Sequence, residues 1–371
     1  MKALNPAVAL FFDRPYVDAQ FCLREMVTQF LERGWEVDLY VEYSPTHPLP
    51  ALESSRLHVF PFQKNRLEHG TLLFRLLSRS WGRCRCIVAT PRWALYWAAR
   101  VGQWLGIPIV CLSDEIDPPT KKWSAEEEKW RRREIWAHQR CALTVALSDG
   151  RFEVIKSENR LSGEHRHVIL PNAPSGPAER LKSSSYRELL AIAPSKGILL
   201  HSGTFGWKLA DRLVDEAANW SGNWMVVFQG RFKGALGERT KNANICFSPV
   251  VLPFEMLRYA TSSADMGLAL YSRDHDREKL SSESSAKLGL YLSCALPVIC
   301  GNAESLRWVE KEGCGVWVGE VGEIPRAADR IRADYAHYSE NAARVFSERF
   351  DYSKFFPEFL ATLERLSTPR A

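Results

Sequence analysis

Short apolar, β-branched runs alternate with longer segments of helical periodicity along the whole chain. Seven such runs precede Asn172, and they read AVALFF, EVDLYV, LHVFPF, CIVAT, IPIVCL, LTVALS and HVIL. Alternation of this kind is typical of parallel sheets whose strands are joined by crossover helices. The first half of the chain therefore predicts a doubly wound α/β domain.

The same pattern starts again after a break that is rich in proline, serine and glycine. The break, APSGPAERLKSSSYRE, follows Asn172 and has the composition of a linker or an exposed loop. Beyond it come GILLHSG, WMVVFQG, ADMGLALY, PVIC and GVWVG, again with helical segments between them. We therefore predict two doubly wound domains in series.

Length and composition agree with this prediction and narrow the class of protein. The 371 residues are enough for two domains of roughly 150 residues each, and a hydrophobic content of 46% can fill two cores. No run approaches the ~20 apolar residues of a membrane span. Asp13 and Arg14 interrupt the first apolar run, so we expect no signal peptide. Nine cysteines without a paired framework favour a reducing, cytoplasmic compartment.

The net charge of +5 is unevenly distributed. Residues 56–100 hold nine arginines or lysines and a single acidic residue, together with several aromatic side chains. Within this stretch, TLLFRLLSRSW places Leu72 and Leu76 on one helical face and Arg75 and Arg79 on another. Such a surface can lie peripherally on anionic lipid, although a core-packing helix with a solvated arginine face is an equal alternative. Nucleic acid is not an expected partner, because no recognised module accompanies the charge.

Ligands of doubly wound domains bind beyond the carboxyl ends of the strands, so residues that directly follow a strand are the first candidates. In the first domain, SDEIDPP follows IPIVCL and offers Asp114 and Glu115 as a general base or as acceptors for substrate hydroxyls. Capping of a helix by Ser113 or Asp114 is equally compatible with this loop. In the second domain, HSGTFGWK places Gly203 between a strand and a helix that starts near Lys208. A glycine turn and a helix start beside a lysine can bind a phosphate.

A further candidate is SSESSAKLGLYLSCALPVIC, in which serines and Glu283 precede an apolar helix. Ser284 and Ser285 could cap that helix. Their hydroxyls and the free N–H groups could also hold a phosphate or a sugar, with Glu283 as an acceptor. The neighbouring DHD, Asp274 to Asp276, could hold a divalent cation, but its late position favours solvated loop charge. We therefore expect no metal site.

The order of these motifs resembles the retaining glycosyltransferases of family 4. ALTVALSDGRFEVIKSENR…HVILPNAP resembles that family's strand, serine-led helix and Pro-Asn junction, CFSPVVLPFEMLRYATSSADMGLALY its base-binding segment, and FSERFDYSKFFPEFLATLERL its closing helices. The resemblance extends over nearly the whole chain. It implies a GT-B fold of two Rossmann-like doubly wound domains that face a central cleft. It further implies an acceptor-side domain over 1–172, a nucleotide-sugar-binding domain over 173–350, and a helix over 351–371 that returns to the first domain.

The resemblance also implies an activity. The family transfers a sugar from a nucleoside diphosphate donor, here UDP or GDP, to an acceptor hydroxyl with retention at the anomeric carbon. By this resemblance Gly203, Thr204 and Lys208 face the diphosphate, Arg231 is a further diphosphate candidate, and the backbone around Val251 faces the base. No cofactor is implied, because helix-start N–H groups and a lysine, rather than a metal, would stabilise the departing diphosphate.

The chain departs from the family pattern at the serine-rich stretch. The family carries two glutamates with seven residues between them, and the register that keeps Lys287 in place puts Ser282 and Leu290 at those two positions. Leu290 cannot accept hydrogen bonds from ribose hydroxyls. In this register Ser284, Ser285 and Lys287 belong to the donor site, and Glu283 takes over contacts from the neighbouring position.

The acceptor side departs further from the family. DRPYVDAQ, which begins with Asp13 and Arg14, replaces a glycine-rich loop after the first strand, and CLSDEI lacks the family's histidine. We expect a glycosyltransferase that acts on a surface-polysaccharide or other glycan precursor, either free or lipid-linked and held at the inner membrane face. The missing glutamate also suggests a non-catalytic glycosyltransferase-like subunit, and a sugar-nucleotide epimerase is a third alternative.

Overall fold

The chain folds into two compact units, Met1–Pro171 with Tyr352–Ala371, and Asn172–Asp351. The boundaries expected from the sequence, 172/173 and 350/351, each differ from these by one residue. The structure is a computed structural model, and it describes residues 5–45, 49–203, 208–220, 223–230, 244–248, 250, 252–271, 276–282, 284–301 and 303–367.

In its described residues, the first unit is built on a parallel sheet of seven strands. In chain order they are β1 (Ala7–Phe12), β2 (Glu36–Glu42), β3 (Leu57–Phe62), β4 (Cys84–Ala89), β5 (Ile109–Leu112), β6 (Leu143–Ala146) and β7 (His167–Ile169). They pair in the order β3-β2-β1-β4-β5-β6-β7, and every pair is parallel. Strands β1, β5 and β6 are buried along their whole length, as expected for a sheet covered by helices on both faces. The seven apolar runs of the sequence are these seven strands.

Helices connect the strands of this sheet. They are α1 (Phe21–Glu32), α2 (Arg66–Ser80), α3 (Trp93–Leu105), α4 (Ala125–His138) and α5 (Asp149–Glu158). The amphipathic pattern expected for α2 is confirmed, since Leu72 and Leu76 are buried whereas Phe74 is 71% exposed. A capping box begins α4, because Ser124 and Glu127 each accept a hydrogen bond from the backbone N–H of the other.

The second unit repeats the architecture. Its strands are β8 (Gly197–Ser202), β9 (Trp224–Gln229), β10 (Ile245–Ser248), β11 (Met266–Leu270), β12 (Val298–Gly301) and β13 (Gly315–Val318). Its helices are α6 (Ser185–Leu189), α7 (Lys208–Ala217), α8 (Phe254–Thr261), α9 (Asp276–Ser282), α10 (Ala286–Ser293), α11 (Trp308–Lys311), α12 (Ile324–Ala333) and α13 (Tyr335–Arg349). The described strands pair in parallel in the order β10-β9-β8-β11-β12-β13. Because this strand order is that of a doubly wound fold, the prediction of two Rossmann-like α/β domains is confirmed.

The last helix, α14 (Tyr352–Ser367), belongs to the first unit. Its Tyr352, Phe356 and Phe359 are fully buried in that unit's core, and the ring centroid of Phe356 lies 5.1 Å from that of Phe30 on α1. Aromatic burial of this extent fixes α14 firmly against α1. The chain therefore returns to the first unit at its end.

Neither a membrane-crossing helix nor a disulfide occurs in the part of the chain that the structure describes. No described helix combines the length and the apolar character that a bilayer span requires. All nine cysteines are described, and none is bonded to another.

A buried histidine makes the first unit sensitive to acid. His138, at the end of α4, is 1% exposed, and its Nε2 lies 2.8 Å from the hydroxyl of Thr144, which lies 2.8 Å from Nε2 of His165. Burial, together with the charge of His165, lowers the pKa of His138 to about 3. The unfolded chain binds a proton at this position below about pH 6.5, whereas the folded chain does not. Stability is therefore lost as the pH falls from about 6.5 towards 3.

We expect acidification from pH 7 to pH 5 to lower the free energy of unfolding by about 2 kcal/mol through His138 alone. Substituting His138→Gln keeps a side-chain amide that can form a hydrogen bond with Thr144 but removes the titration, so the variant should lack that part of the loss. Urea denaturation of both proteins at the two pH values measures the difference. Equal losses in the two proteins would contradict a neutral, buried His138.

Candidate functional site

In each unit the candidate residues lie at the carboxyl end of the parallel sheet, beside the point where the strand order reverses. That point lies between β1 and β4 in the first unit and between β8 and β11 in the second. Ligands of doubly wound sheets bind in the crevice at this point. Each unit therefore holds one candidate site.

Asp13, Arg14 and Asp114 form one hydrogen-bonded cluster at the ends of β1, β4 and β5. The Arg14 guanidinium donates from Nη1 to Asp13 Oδ1 at 2.8 Å and from Nε to Asp114 Oδ2 at 3.2 Å. The hydroxyl of Thr90 donates to Asp13 Oδ1 at 2.8 Å and accepts from the backbone N–H of Asp13 at 3.1 Å. Lys64 Nζ lies 3.6 Å from Asp13 Oδ2 and adds a second cation. Three of the four residues predicted for this domain are thus in direct contact.

Asp114 is not a free base in this structure, because its carboxylate is buried and forms an ion pair with Arg14. Its side chain has no exposed surface, whereas that of Arg14 is 17% exposed. Burial raises the pKa of Asp114, and the charge of Arg14 opposes that rise. The backbone oxygen of Asp114 also accepts from Nη2 of Arg151 at 2.9 Å. Asp114 therefore orients Arg14, and Arg14 is the member of the pair that solvent reaches; Glu115, the next residue, is exposed.

In the second unit, Gly203 and Gly230 bring the ends of β8 and β9 close together. Gly203 has a φ of 126° and Gly230 a φ of 146°, values that favour glycine. A Cβ added to Gly230 would overlap the carbonyl oxygen of Gly203, and one added to Gly203 would lie 3.8 Å from Cε of Lys287. The backbone that follows β8 therefore passes beside this lysine, near the start of α10.

Among the residues that the structure describes at this site, Lys287 supplies the positive charge. Its Nζ lies 5.0 Å from the centroid of the Tyr271 ring. Burial lowers the pKa of Lys287 to about 8, and the charge of Glu278 opposes that shift. The pKa of His201 is also lowered, mainly by burial and then by the charge of Lys287. Lys287 is half-buried, so its ammonium is only partly solvated, and an anionic ligand beside it would raise its pKa again.

Ser285 caps α10, which is one of the two roles expected from the sequence. Its Oγ accepts from the backbone N–H of Leu288 at 3.2 Å and from the hydroxyl of Tyr271 at 2.5 Å. Ser284 is also buried. A contact of either serine with a ligand stays a prediction.

Ser282 and Leu290 stand where the preferred register places the family's glutamates. Ser282 is fully buried, its hydroxyl donates to the backbone oxygen of Lys279 at 2.6 Å, and it lies 2.6 Å from the hydroxyl of Ser305. Leu290 is 4% exposed. Ser282 is thus engaged in hydrogen bonds within the protein, whereas the apolar side chain of Leu290 can make none.

Several predicted residues lie outside the described part of the chain. They are Thr204, Arg231, Val251, Glu283 and, from the DHD motif, Asp274 and His275. The helix predicted to start near Lys208 is α7, which begins at that residue, although its side chain is not described. The roles given to these residues stay predictions.

Sequence reasoning missed four residues of the two sites. Thr90 directly follows β4 and Tyr271 directly follows β11, so inspection of every strand end would have found both. Lys64 and Glu278 carry no comparable signal. Lys64 Nζ lies 3.1 Å from the backbone oxygen of Asp13, and Glu278 is 5% exposed on α9, so tertiary structure alone places them.

Comparison with known proteins gives one family match and several similar solved structures. Residues 216–362 match the model of the family described as Glucosyltransferase 3-like, C-terminal domain. No curated protein sequence matches the chain. Among solved structures, sucrose-phosphate synthase from Thermosynechococcus elongatus has a TM-score of 0.68 and 14% identity, covering 98% of this chain and 99% of its own.

Two further solved structures are similar along their whole length. HepE from Anabaena, in complex with UDP and glucose, has a TM-score of 0.67 and 16% identity, covering 96% of this chain and 99% of its own. WaaG, a glycosyltransferase involved in lipopolysaccharide biosynthesis, has a TM-score of 0.63 and 15% identity, covering 96% of this chain and 98% of its own. These likenesses show the GT-B fold, and the family match includes Lys287 and the whole of α10. The chain thus has the GT-B glycosyltransferase fold, and residues 216–362 within it are similar to the glucosyltransferase 3-like C-terminal domain.

Proposed function

We propose that the protein transfers a sugar from a UDP-sugar to an acceptor hydroxyl with retention at the anomeric carbon. The observation that carries this proposal is the place of the Lys287 side chain, whose Cε would lie 3.8 Å from a Cβ on Gly203 at the reversal point between β8 and β11. Lys287 itself lies within the matched residues 216–362. The structures of HepE with UDP and with UDP-glucose support a uridine nucleotide over GDP.

In the proposed reaction, negative charge grows on the departing diphosphate as the bond to the anomeric carbon breaks. Lys287 would stabilise that charge without a divalent metal, because an ammonium that is only partly solvated interacts strongly with an anion. On the acceptor side, Arg14 would orient the acceptor, with Asp13 and Asp114 holding its guanidinium in place. Glu115 is the exposed carboxylate beside this cluster.

The remaining predicted residues complete the proposed donor site. Thr204, Lys208 and Arg231 would contact the diphosphate, the backbone at Val251 the base, and Ser284, Ser285 and Glu283 the sugar and phosphate.

We further propose that the acceptor is a glycan precursor, free or lipid-linked, in the biosynthesis of a surface polysaccharide. The protein would act in the cytoplasm, in peripheral contact with an anionic membrane. The involvement of WaaG in lipopolysaccharide biosynthesis supports this class of acceptor.

Calorimetric titration with UDP and GDP, followed by a search for UDP release from a panel of UDP-sugars with candidate acceptors, tests the proposal. We expect UDP to bind more tightly than GDP and its release to require both donor and acceptor. Tighter binding of GDP would overturn the choice of base. Binding of neither nucleotide would favour a non-catalytic subunit.

Substituting Leu290→Glu should tighten the binding of UDP. Leu290 follows Lys287 by one turn of α10, at the position where the family register carries a glutamate. A charged hydrogen bond to the ribose is worth about 1.5–3 kcal/mol, so the affinity should rise about 10- to 100-fold. Leu290→Gln, of similar size but uncharged, is the control and should gain less. Unchanged affinity in a folded Leu290→Glu protein would contradict this register.

A further inference from the structure

Much of the basic charge within residues 56–100 is neutralised inside the first unit. Arg79 and Arg83 both bind the buried carboxylate of Asp38, at 2.8 Å and 2.5 Å. Two more cations of this stretch pair in the same way, Lys64 with Glu42 and Arg92 with Asp117. The sequence therefore overstates the charge that this stretch offers to a partner.

Three arginines without carboxylate partners lie instead on α3, on α4 and directly after α4, between aromatic rings. The distances from guanidinium carbon to ring centroid are 4.6 Å for Arg133 and Trp130, 5.2 Å for Arg133 and Tyr96, 5.9 Å for Arg100 and Tyr96, 5.7 Å for Arg100 and Trp136, and 4.3 Å for Arg140 and Trp136. None of these three arginines forms an ion pair with any residue that the structure describes. No described carboxylate therefore offsets the charge of these guanidinium groups, and each of them lies close to at least one aromatic ring.

An exposed tryptophan extends this surface. Trp104 is 77% exposed and follows Arg100 by four residues on α3, so it lies one turn further along the same side of the helix. We call the three arginines, their three rings and Trp104 the Arg–aromatic face. The acidic first turn of α4, Glu126 to Glu128, lies at the opposite end of that helix from Arg140. The face therefore has a basic end that carries an exposed indole.

We propose that the Arg–aromatic face binds the surface of an anionic lipid bilayer. Unpaired guanidinium groups attract phosphate head groups, and amphipathic rings such as tryptophan favour the boundary between head groups and acyl chains. Trp104 inserts there, while Arg100, Arg133 and Arg140 contact the lipid phosphates. This inference deepens the membrane contact proposed above and moves it from residues 56–100 as a whole to α3 and α4. Its test requires no transfer activity.

Flotation of the full chain with vesicles of phosphatidylcholine, with and without phosphatidylglycerol, tests the charge requirement. We expect binding only when phosphatidylglycerol is present. The triple variant Arg100→Gln, Arg133→Gln, Arg140→Gln should partition roughly 100-fold less at low salt, since each basic residue near a membrane contributes several-fold. The control is Arg330→Gln, Arg332→Gln, Arg344→Gln, which removes the same formal charge from arginines that pair with carboxylates in the second unit.

Three results would overturn the inference. They are equal loss of binding in the two triple variants, equal binding to both kinds of vesicle, and stronger binding to a soluble polyanion such as dextran sulfate than to vesicles. A second measurement uses the quenching of tryptophan fluorescence by brominated phosphatidylcholine in mixed vesicles. Trp104→Phe should lose a clear part of that quenching, and retention of all of it would show that Trp104 stays outside the bilayer.

Calorimetry with UDP in the absence of lipid separates this inference from the proposed function. The Arg100, Arg133, Arg140 variant should bind UDP as the unmodified protein does, because its substitutions lie outside both candidate sites. Loss of vesicle binding with intact UDP binding supports the membrane face. Failure of the unmodified protein to bind UDP would bear on the proposed donor and leave the vesicle result standing.

Discussion

Replacing Lys287 with methionine should weaken the binding of UDP about 100-fold and remove its pH dependence near pH 8. A charge-assisted hydrogen bond to a phosphate contributes about 1.5–3 kcal/mol, and an ammonium can make more than one. Because burial lowers the pKa of Lys287 to about 8, the free protein loses this charge as the pH rises through that value. The affinity of the unmodified protein should therefore fall about twofold between pH 7 and pH 8 and about fivefold between pH 8 and pH 9.

Calorimetric titration with UDP at pH 7, 8 and 9 measures both effects. Lys311→Met, which removes an exposed lysine from α11, is the matched control and should keep the affinity and its pH dependence. The stability of the protein provides an independent check, because the charge of Lys287 is expected to favour UDP binding but to oppose folding. Since the folded pKa of Lys287 lies below its unfolded value, its charge is unfavourable to folding below pH 8, and Lys287→Met should not lower the melting temperature at pH 7. A variant that keeps the affinity and the pH dependence would exclude Lys287 from the donor site.

The second large effect is expected from Gly267→Ala in β11. A Cβ at this position would overlap the ring of Tyr291, which is fully buried and whose hydroxyl accepts from the backbone N–H of Ser202 at 2.8 Å. The ring cannot withdraw without losing that bond. We expect the free energy of unfolding to fall by about 3 kcal/mol, at the upper end of the range for overpacked cores. UDP binding should also weaken, because Ser202 directly precedes Gly203.

Thermal and urea denaturation of Gly267→Ala measure this loss. Gly163→Ala is the control, since a Cβ there meets no atom within 4 Å and its stability should stay within about 0.5 kcal/mol of the parent. A double-mutant cycle with Tyr291→Leu identifies the clash. If the Tyr291 ring is responsible, Gly267→Ala should cost less than about 1 kcal/mol in the Tyr291→Leu background. An equal cost in both backgrounds would place the strain elsewhere.

The strands could largely be predicted from the sequence, because a buried parallel strand is a short apolar run between turn residues. The exception is β10, which the sequence did not reveal. It is only four residues long, ICFS, and it lies at the edge of its sheet, where Cys246 and Phe247 are half-buried. An edge strand of this length lacks the continuous apolar run that marks the central strands.

The sites could be predicted in part, because they begin where strands end. Asp114 is a candidate on that ground, and Asp13 and Arg14 are candidates by the family resemblance. The ion pair between Arg14 and Asp114 nevertheless joins residues 100 positions apart and has no signature in the sequence. The same holds for surface charge. Asp38 lies within the apolar run EVDLYV, and only the fold shows that it neutralises Arg79 and Arg83.

The placement of α14 has a consequence for the order in which the chain can fold. Since both ends of the chain belong to the first unit, the second unit is an insertion within it. Residues 172–351 are contiguous, and they leave the ribosome complete before Phe356 and Phe359 are available to cover Phe30. The second unit is thus synthesised completely before the first. Until α14 has been synthesised, the apolar side chains of the first unit that α14 covers stay exposed.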